Sequence, residues 1–345
     1  MSKRSRVAIA GCHRMLQPQL AGHNFASAFA AVPETEIVAM YDRSAETRAD
    51  FVRCWGAIPA YDNYTAMLQE VQPDLLCIAT RQTLHAAQIE QAAAAGVCGI
   101  LCDKPLATTL LESDRIISVC RERGIALTFA LDRRWHASYR HARRLIAEGI
   151  VGKVTSLLAF GCPNLINHGC HWYDTALMLL GDPEPLWVSG WVDDLINEPG
   201  DSRRRLDPPG RGQVGLSDGA LLSVTADGGR RPAFEVIGDD GRLLILQDAE
   251  LCYLWTESGG AGEPGLRPLP MPSSQEPWPA GPAMVRDLVA AVTSHSMTAC
   301  DVEQARRATE IGFAVHLSHL HGGARVMLPA AQRTRSIPSF LWGNE

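Results

Sequence analysis

Between residues 7 and 130, short uninterrupted apolar runs alternate with helical segments, and this alternation restricts the fold more than any other feature of the chain. The strand-like runs are 7–10, 36–41, 75–80, 97–102 and 126–130. Helical segments at 24–32, 45–55, 64–71, 85–95 and 111–123 separate them, and Gly96 and Gly124 close the last two. Strands spaced by helices of this length pair in parallel through crossover connections. Runs that are apolar throughout, rather than at every second residue, fit strands buried on both faces. The expectation is an α/β fold with a doubly wound parallel sheet.

After residue 150 the pattern changes. The runs VTSLLAF, LWVSGWV, ALLSVTA, AFEVIG and RLLILQ are separated by Gly/Asp turns, and GDDG at 238–241 is a hairpin signal. They predict an open, mainly antiparallel sheet. Residues 196–213 and 258–283 read as Gly/Pro-rich loops, and helices return at 283–293 and 302–319. The expected organisation is a dinucleotide-binding domain over 1–130 and an α+β domain over 131–345 for substrate binding and oligomerisation.

Composition excludes several classes. With 46% hydrophobic and 20% charged residues the chain is not of disordered type. A formal net charge of −6 leaves no broad basic field for nucleic acid. No run approaches the roughly 18 apolar residues of a membrane helix. The apolar run after the basic N-terminal residues is too short for a secretory signal. Ten scattered cysteines without a CxxC pair suggest reduced thiols and a cytoplasmic location.

Two places carry candidate chemistry. The first is the connection after the 7–10 strand. A strand ending in glycine, then a helix, then a strand ending in an acid, places diphosphate near the helix and the acid on the ribose hydroxyls. Gly11 is that glycine and Asp42 that acid. The Asp42 charge favours NAD over NADP, and Arg43 beside it softens the preference. His13 stands where a second glycine is usual, and the loop MLQPQLAG lengthens the connection. His13, Arg14 and His23 are the candidates to contact phosphates in its place.

The second is LCDKP, where Asp103, Lys104 and Pro105 follow a buried strand. Ligands of open α/β sheets lie beyond the carboxyl ends of the strands. Lys104 there is suited to proton transfer at a hydroxyl. In NHGCHWYDTALMLLG, a helix over 167–180 would put Asn167, His171 and Asp174 on one face. Trp172 reads either as a platform for a sugar face or as core. His168, His171, Cys162 and Cys170 lack the third-ligand spacing of a zinc site, so no metal is expected. His316, His319 and His321 read as packing or surface. GxSxG is absent.

PDLLCIATRQTLHAAQIEQAAAAGV, LCDKPLATTLLESDRI and LDRRWHASYRHARRLIAEGIVGKV together resemble the Gfo/Idh/MocA family of NAD(P)-dependent oxidoreductases, which includes sugar and inositol dehydrogenases. ARVMLP and SFLWGN near the C-terminus also look similar. The resemblance implies a Rossmann domain followed by an open sheet carrying the substrate face. It assigns Lys104 to the EKP lysine that assists proton removal, with Asp103 a conservative change. It assigns His171 and Asp174 to a DxxxHxxD motif in which Asn167 replaces the first aspartate. Thr80, Gln82 and His85 match the loop flanking the nicotinamide ribose and carboxamide. Arg134, counted with the cofactor-binding set, and Trp135 match a segment that often faces substrate. The connection before the His171 helix is shorter than usual, which should open or reshape the substrate pocket.

The function expected is hydride transfer between NAD (NADP as second candidate) and a secondary alcohol of a sugar, glycoside or cyclitol, with Lys104 and His171 handling the proton. The alternatives are a redox-neutral lyase or glycosidase retaining NAD, and a non-catalytic sensor or structural homologue. A homodimer or tetramer is expected, with neither nucleic acid nor membrane as partner.

Overall fold

The computed structural model describes residues 4–193, 207–229, 231–256 and 265–337. The chain divides into two compact units. The first contains the stretch ending at Trp135 together with Ser274–Arg306; the second contains His136–Ser273 and the chain from Arg307.

In the first unit, β1 (Ser5–Ala10), α1 (Phe25–Ala30), β2 (Thr35–Tyr41), α2 (Ala45–Trp55), β3 (Ala60–Tyr61), α3 (Tyr64–Val71), β4 (Leu75–Ile78), α4 (His85–Ala94), β5 (Gly99–Cys102), α5 (Leu110–Arg123) and β6 (Ala126–Phe129) follow in turn. The six strands are all parallel, in the order β3-β2-β1-β4-β5-β6. Every residue of β4 and β5 is buried, which accounts for their unbroken apolar character. Local chemistry sets the helix ends. The side chains of Ser44, Asn63 and Thr109 accept from the third helical N–H of α2, α3 and α5. Gly124 closes α5 in the left-handed region, φ 65°.

The second unit opens with α6 (Ala137–Ala147), a helix absent from the sequence reading. Then come β7 (Val154–Phe160), α7 (Gly169–Leu179), β8 (Pro185–Val192), β9 (Gly210–Leu216), β10 (Leu221–Thr225), β11 (Ala233–Gly238), β12 (Gly241–Leu246), β13 (Leu251–Thr256) and β14 (Gly265–Pro268). After α8 (Ala280–Ser294) and α9 (Val302–Leu320), β15 (Val326–Met327) completes a sheet of order β14-β13-β12-β11-β7-β10-β9-β8-β15. Among the described strands of this sheet, only β7 and β10 pair in parallel. Asp239 and Asp240 form the turn between β11 and β12, as GDDG predicts. One face of the sheet, through Leu157, Val188, Val214, Leu222, Phe234, Val236, Leu243 and Leu254, forms the core with α6, α7 and the later part of α9.

The structure departs from the sequence reading in three places. Residues 210–213 lie in β9 and 265–268 in β14, both inside segments expected to be loops. Glycine and proline hide these strands, and cross-strand pairing with β10 and β13 forms them. Within those two segments, 196–206 and 258–264 lie outside the described residues, as does the SFLWGN motif.

The third departure concerns α8, which belongs to the first unit rather than to the region after 130. It lies on the parallel sheet: a Cβ on Gly99 would sit 2.6 Å from the Val292 side chain. The following segment covers the edge strand β6. Phe129 N–H donates to the Cys300 carbonyl at 2.8 Å, and the Thr298 hydroxyl donates to the Leu127 carbonyl at 2.6 Å.

Candidate functional site

The strand order of the first unit reverses between β1 and β4, which creates a crevice at their carboxyl ends. Gly11 follows β1 with φ 86°, and a Cβ there would lie 2.5 Å from the Ala79 carbonyl oxygen after β4. Only glycine fits that approach. Asp42, after β2, accepts Cys12 N–H on Oδ2 and Ser44 N–H on Oδ1, both at 2.9 Å. Each oxygen keeps acceptor capacity for a ribose hydroxyl. Arg43 is exposed, and its carbonyl accepts from Arg48 at 3.1 Å.

The lengthened loop is tied down. His13–Met15 is a short 3-10 turn. Trp55 Nε1 donates to the Met15 carbonyl at 2.6 Å, and Cys54 Sγ to that of Leu16 at 2.7 Å. Asn24 caps α1 and donates to the Gln17 and Gln19 carbonyls at 2.6 and 3.0 Å. His13 is exposed, while Arg14 forms an ion pair with Asp103 after β5. His23 Nδ1 lies 4.0 Å from the same carboxylate.

Asp103 is 1% exposed. Burial alone would raise its pKa, but Arg14, then His23 and Lys104, outweigh this and hold the carboxyl below its ordinary value. Lys104 N–H donates to Asp103 Oδ1 at 2.9 Å, and the Lys104–Pro105 peptide is cis. These groups fit an NAD nucleotide: an acid for ribose, a bare backbone position at Gly11, and Arg14 with His13 as donors for diphosphate.

Thr80 donates to Gln88 Oε1 at 2.5 Å, and Gln82 is buried in the turn that leads into α4. His85 is fully buried, so it acts beneath the loop rather than on its surface. Its Nε2 lies 3.3 Å from the Thr80 carbonyl, and Cys102 Sγ lies 3.6 Å from Nδ1. Burial lowers its pKa, which keeps it neutral. Trp135 is 7% exposed and donates to Asp287 of α8 at 3.2 Å, so it packs rather than facing a ligand. Arg134 is 5% exposed.

In the second unit, His171 and Asp174 lie on α7 and are 7% and 1% exposed. Asn167 does not share their helical face, because α7 starts only at Gly169. It belongs to a buried turn gathered by the Asp207 carboxylate. Leu165 and Ile166 N–H donate to Asp207 Oδ1 at 3.1 and 3.0 Å, and Asn167 N–H to Oδ2 at 3.0 Å. His316 Nε2 lies 3.2 Å from Oδ1. Asn164 Oδ1 accepts His168 N–H at 2.7 Å, at the N-cap of α7. The short connection before α7 is thus itself interior structure. Trp172 belongs to the core, its Nε1 donating to the Phe160 carbonyl at 2.7 Å.

Sequence reasoning missed Asp207, His316 and Asn164 as organisers of this segment. Asp207 acts across about 40 positions in sequence, and no local pattern marks it. Among the described residues no group of three His, Cys, Asp or Glu side chains could hold a metal ion, and no helix is long and apolar enough to cross a membrane.

Residues 5–131 match GFO_IDH_MocA, the oxidoreductase family with an NAD-binding Rossmann fold. The chain is 32% identical over 154 residues to dTDP-3,4-didehydro-2,6-dideoxy-alpha-D-glucose 3-reductase of Streptomyces violaceoruber, covering 45% of this chain and 43% of that one. It is 29% identical over 197 residues to D-apiose dehydrogenase of Paraburkholderia graminis, covering 52% and 51%. The chain spans about half the length of these curated relatives. In fold it is similar to levoglucosan dehydrogenase in complex with NADH and levoglucosan, with a TM-score of 0.81 at 20% identity over 95% of this chain and 100% of that one. The part of this chain that matches the NAD-binding Rossmann-fold oxidoreductase family is residues 5–131, which hold the parallel sheet.

Proposed function

We propose that this chain is an NAD-dependent dehydrogenase or reductase acting on a secondary alcohol of a sugar, glycoside or cyclitol, with NADP as the second cofactor candidate. The observation that carries the reading is Lys104. It leaves the carboxyl end of β5 directly behind a buried, ionised Asp103, in a domain of an NAD-binding family. The activities of the two relatives, a sugar reductase and a sugar dehydrogenase, support the substrate class.

Nicotinamide, when bound, supplies the hydride acceptor or donor. The chain supplies binding and proton handling. Asp42 orients the adenosine ribose through its remaining acceptor capacity and repels a 2′-phosphate. Lys104 takes the hydroxyl proton on oxidation and returns it on reduction. His171 is the proton-handling group of the second unit, on the same helix as Asp174. Asn167 carries no acid, so no proton passes through it.

A homo-oligomer through the outer face of the large sheet accompanies this reading. That face presents Trp191, Leu251 and Leu266, which are 50%, 39% and 59% exposed. A second copy of this chain is the proposed occupant of that face.

Calorimetric titration with NAD, NADH, NADP and NADPH, followed by a screen of sugars and cyclitols for nicotinamide reduction, tests the proposal. Binding of NAD and NADH in preference to the phosphorylated pair, weakened by Asp42→Ala, is expected. Failure of all four nucleotides to bind rejects it.

A further inference from the structure

Arg14 and Asp103 reach each other across a strand end. Arg14 lies in the turn after β1, Asp103 follows β5, and β4 runs between those strands in the sheet. Adjacent strands are about 4.8 Å apart. The ion pair therefore crosses the carboxyl end of β4, beside the point where strand order reverses. Ligands of open α/β sheets lie there.

The two partners are held very differently. Asp103 is buried, its N–H donates to the Ile78 carbonyl at 2.8 Å, and its Oδ1 accepts Lys104 N–H. His23 Nδ1 lies 4.0 Å from its carboxylate, and Lys104 follows it in sequence. The Arg14 side chain is 31% exposed and is rooted in a three-residue turn. Arg14 is the partner able to move.

We propose that Arg14 exchanges Asp103 for the diphosphate of a bound dinucleotide, so that this ion pair competes with cofactor binding. The inference rests on the NAD-binding reading of this unit. A guanidinium matches carboxylate and phosphate oxygens with the same planar fork, and the diphosphate offers more charge than one carboxylate. His13 removes the second glycine that lets backbone approach the phosphates. A side-chain cation compensates for that loss. When Arg14 leaves, Lys104 remains as a cation beside the Asp103 carboxylate.

NADH binding to the full chain, measured by fluorescence for wild type, Asp103→Asn, Arg14→Gln and the double variant, tests this. Asp103→Asn is expected to tighten NADH and ADP-ribose by about tenfold, and Arg14→Gln to weaken both by about tenfold. In the Arg14→Gln background, Asp103→Asn should change neither affinity. Adenosine, which lacks diphosphate, should bind all four proteins alike.

Unchanged affinity in Asp103→Asn, or an equal gain with and without Arg14, overturns the exchange while leaving NAD binding intact. No NADH binding to wild type overturns the cofactor reading and the exchange with it. Should Asp103→Asn not fold, the Arg14 Nε–H resonance of the wild-type protein provides the same test. It should shift with ADP-ribose and not with adenosine, and a resonance that stays still overturns the proposal.

Discussion

Asp207 and His316 meet in the interior of the second unit, with Oδ1 3.2 Å from Nε2 and both residues at most 3% exposed. The same carboxylate collects the N–H groups of Leu165, Ile166 and Asn167, just before the helix that carries His171. Asp207→Ala strips three buried backbone donors and one histidine of their acceptor. A loss of about 3–5 kcal/mol of unfolding free energy is expected, read from urea denaturation. A loss below about 1 kcal/mol would show that water replaces the carboxylate without cost.

Gly11→Ala should damage the first unit. Its φ of 86° is strained for alanine, and the added methyl would lie 2.5 Å from the Ala79 carbonyl oxygen. A destabilisation of about 3 kcal/mol is expected. NADH affinity should fall with it, since the strand end must shift to make room. A variant with unchanged melting temperature and affinity would contradict this account.

His85 makes stability depend on pH. Burial lowers its pKa from 6.5 in the folded chain. On acidification the unfolded chain therefore takes up this proton first. Stability should fall as pH drops below about 6.5, by up to about 1.4 kcal/mol per pH unit, until folded His85 also protonates. Denaturation of wild type and His85→Gln between pH 7 and 5 checks the sign, and the variant should lose this part of the slope.

Lys104→Met and His171→Ala should each lower kcat on an identified substrate by about 100-fold or more while NADH still binds. For Lys104, loss of the acidic limb of the kcat/KM pH profile for alcohol oxidation distinguishes a proton-handling role from a structural one. Full turnover in both variants would remove them from the chemistry.

Trp191→Asp places a charge on the outer sheet face, where the indole is 50% exposed. Sedimentation should then report a smaller species than wild type, with the melting temperature of the monomer little changed. A wild-type protein that already sediments as a monomer would assign that face to something other than a second copy.

Much of the first unit is legible residue by residue because its causes are local. Ser44, Asn63 and Thr109 each satisfy N–H groups within three positions, and the sequence places α2 at Ala45–Trp55 and α3 at Tyr64–Val71, the same bounds as the structure. The sequence suggests the second sheet less completely. Glycine in β9 and proline in β14 suppress the strand pattern, and neighbouring strands impose it.

The alternation of parallel strands and helices, the acid after β2 and the lysine after β5 are readable in the chain, since each follows from spacing along a few turns or strands. That α8 covers the first sheet, that Asn167 falls before its helix under Asp207, and that Arg14 reaches Asp103 emerge only in the folded chain, for one shared cause. Each contact joins groups dozens of positions apart, and its energy exists only after chain closure has brought them together.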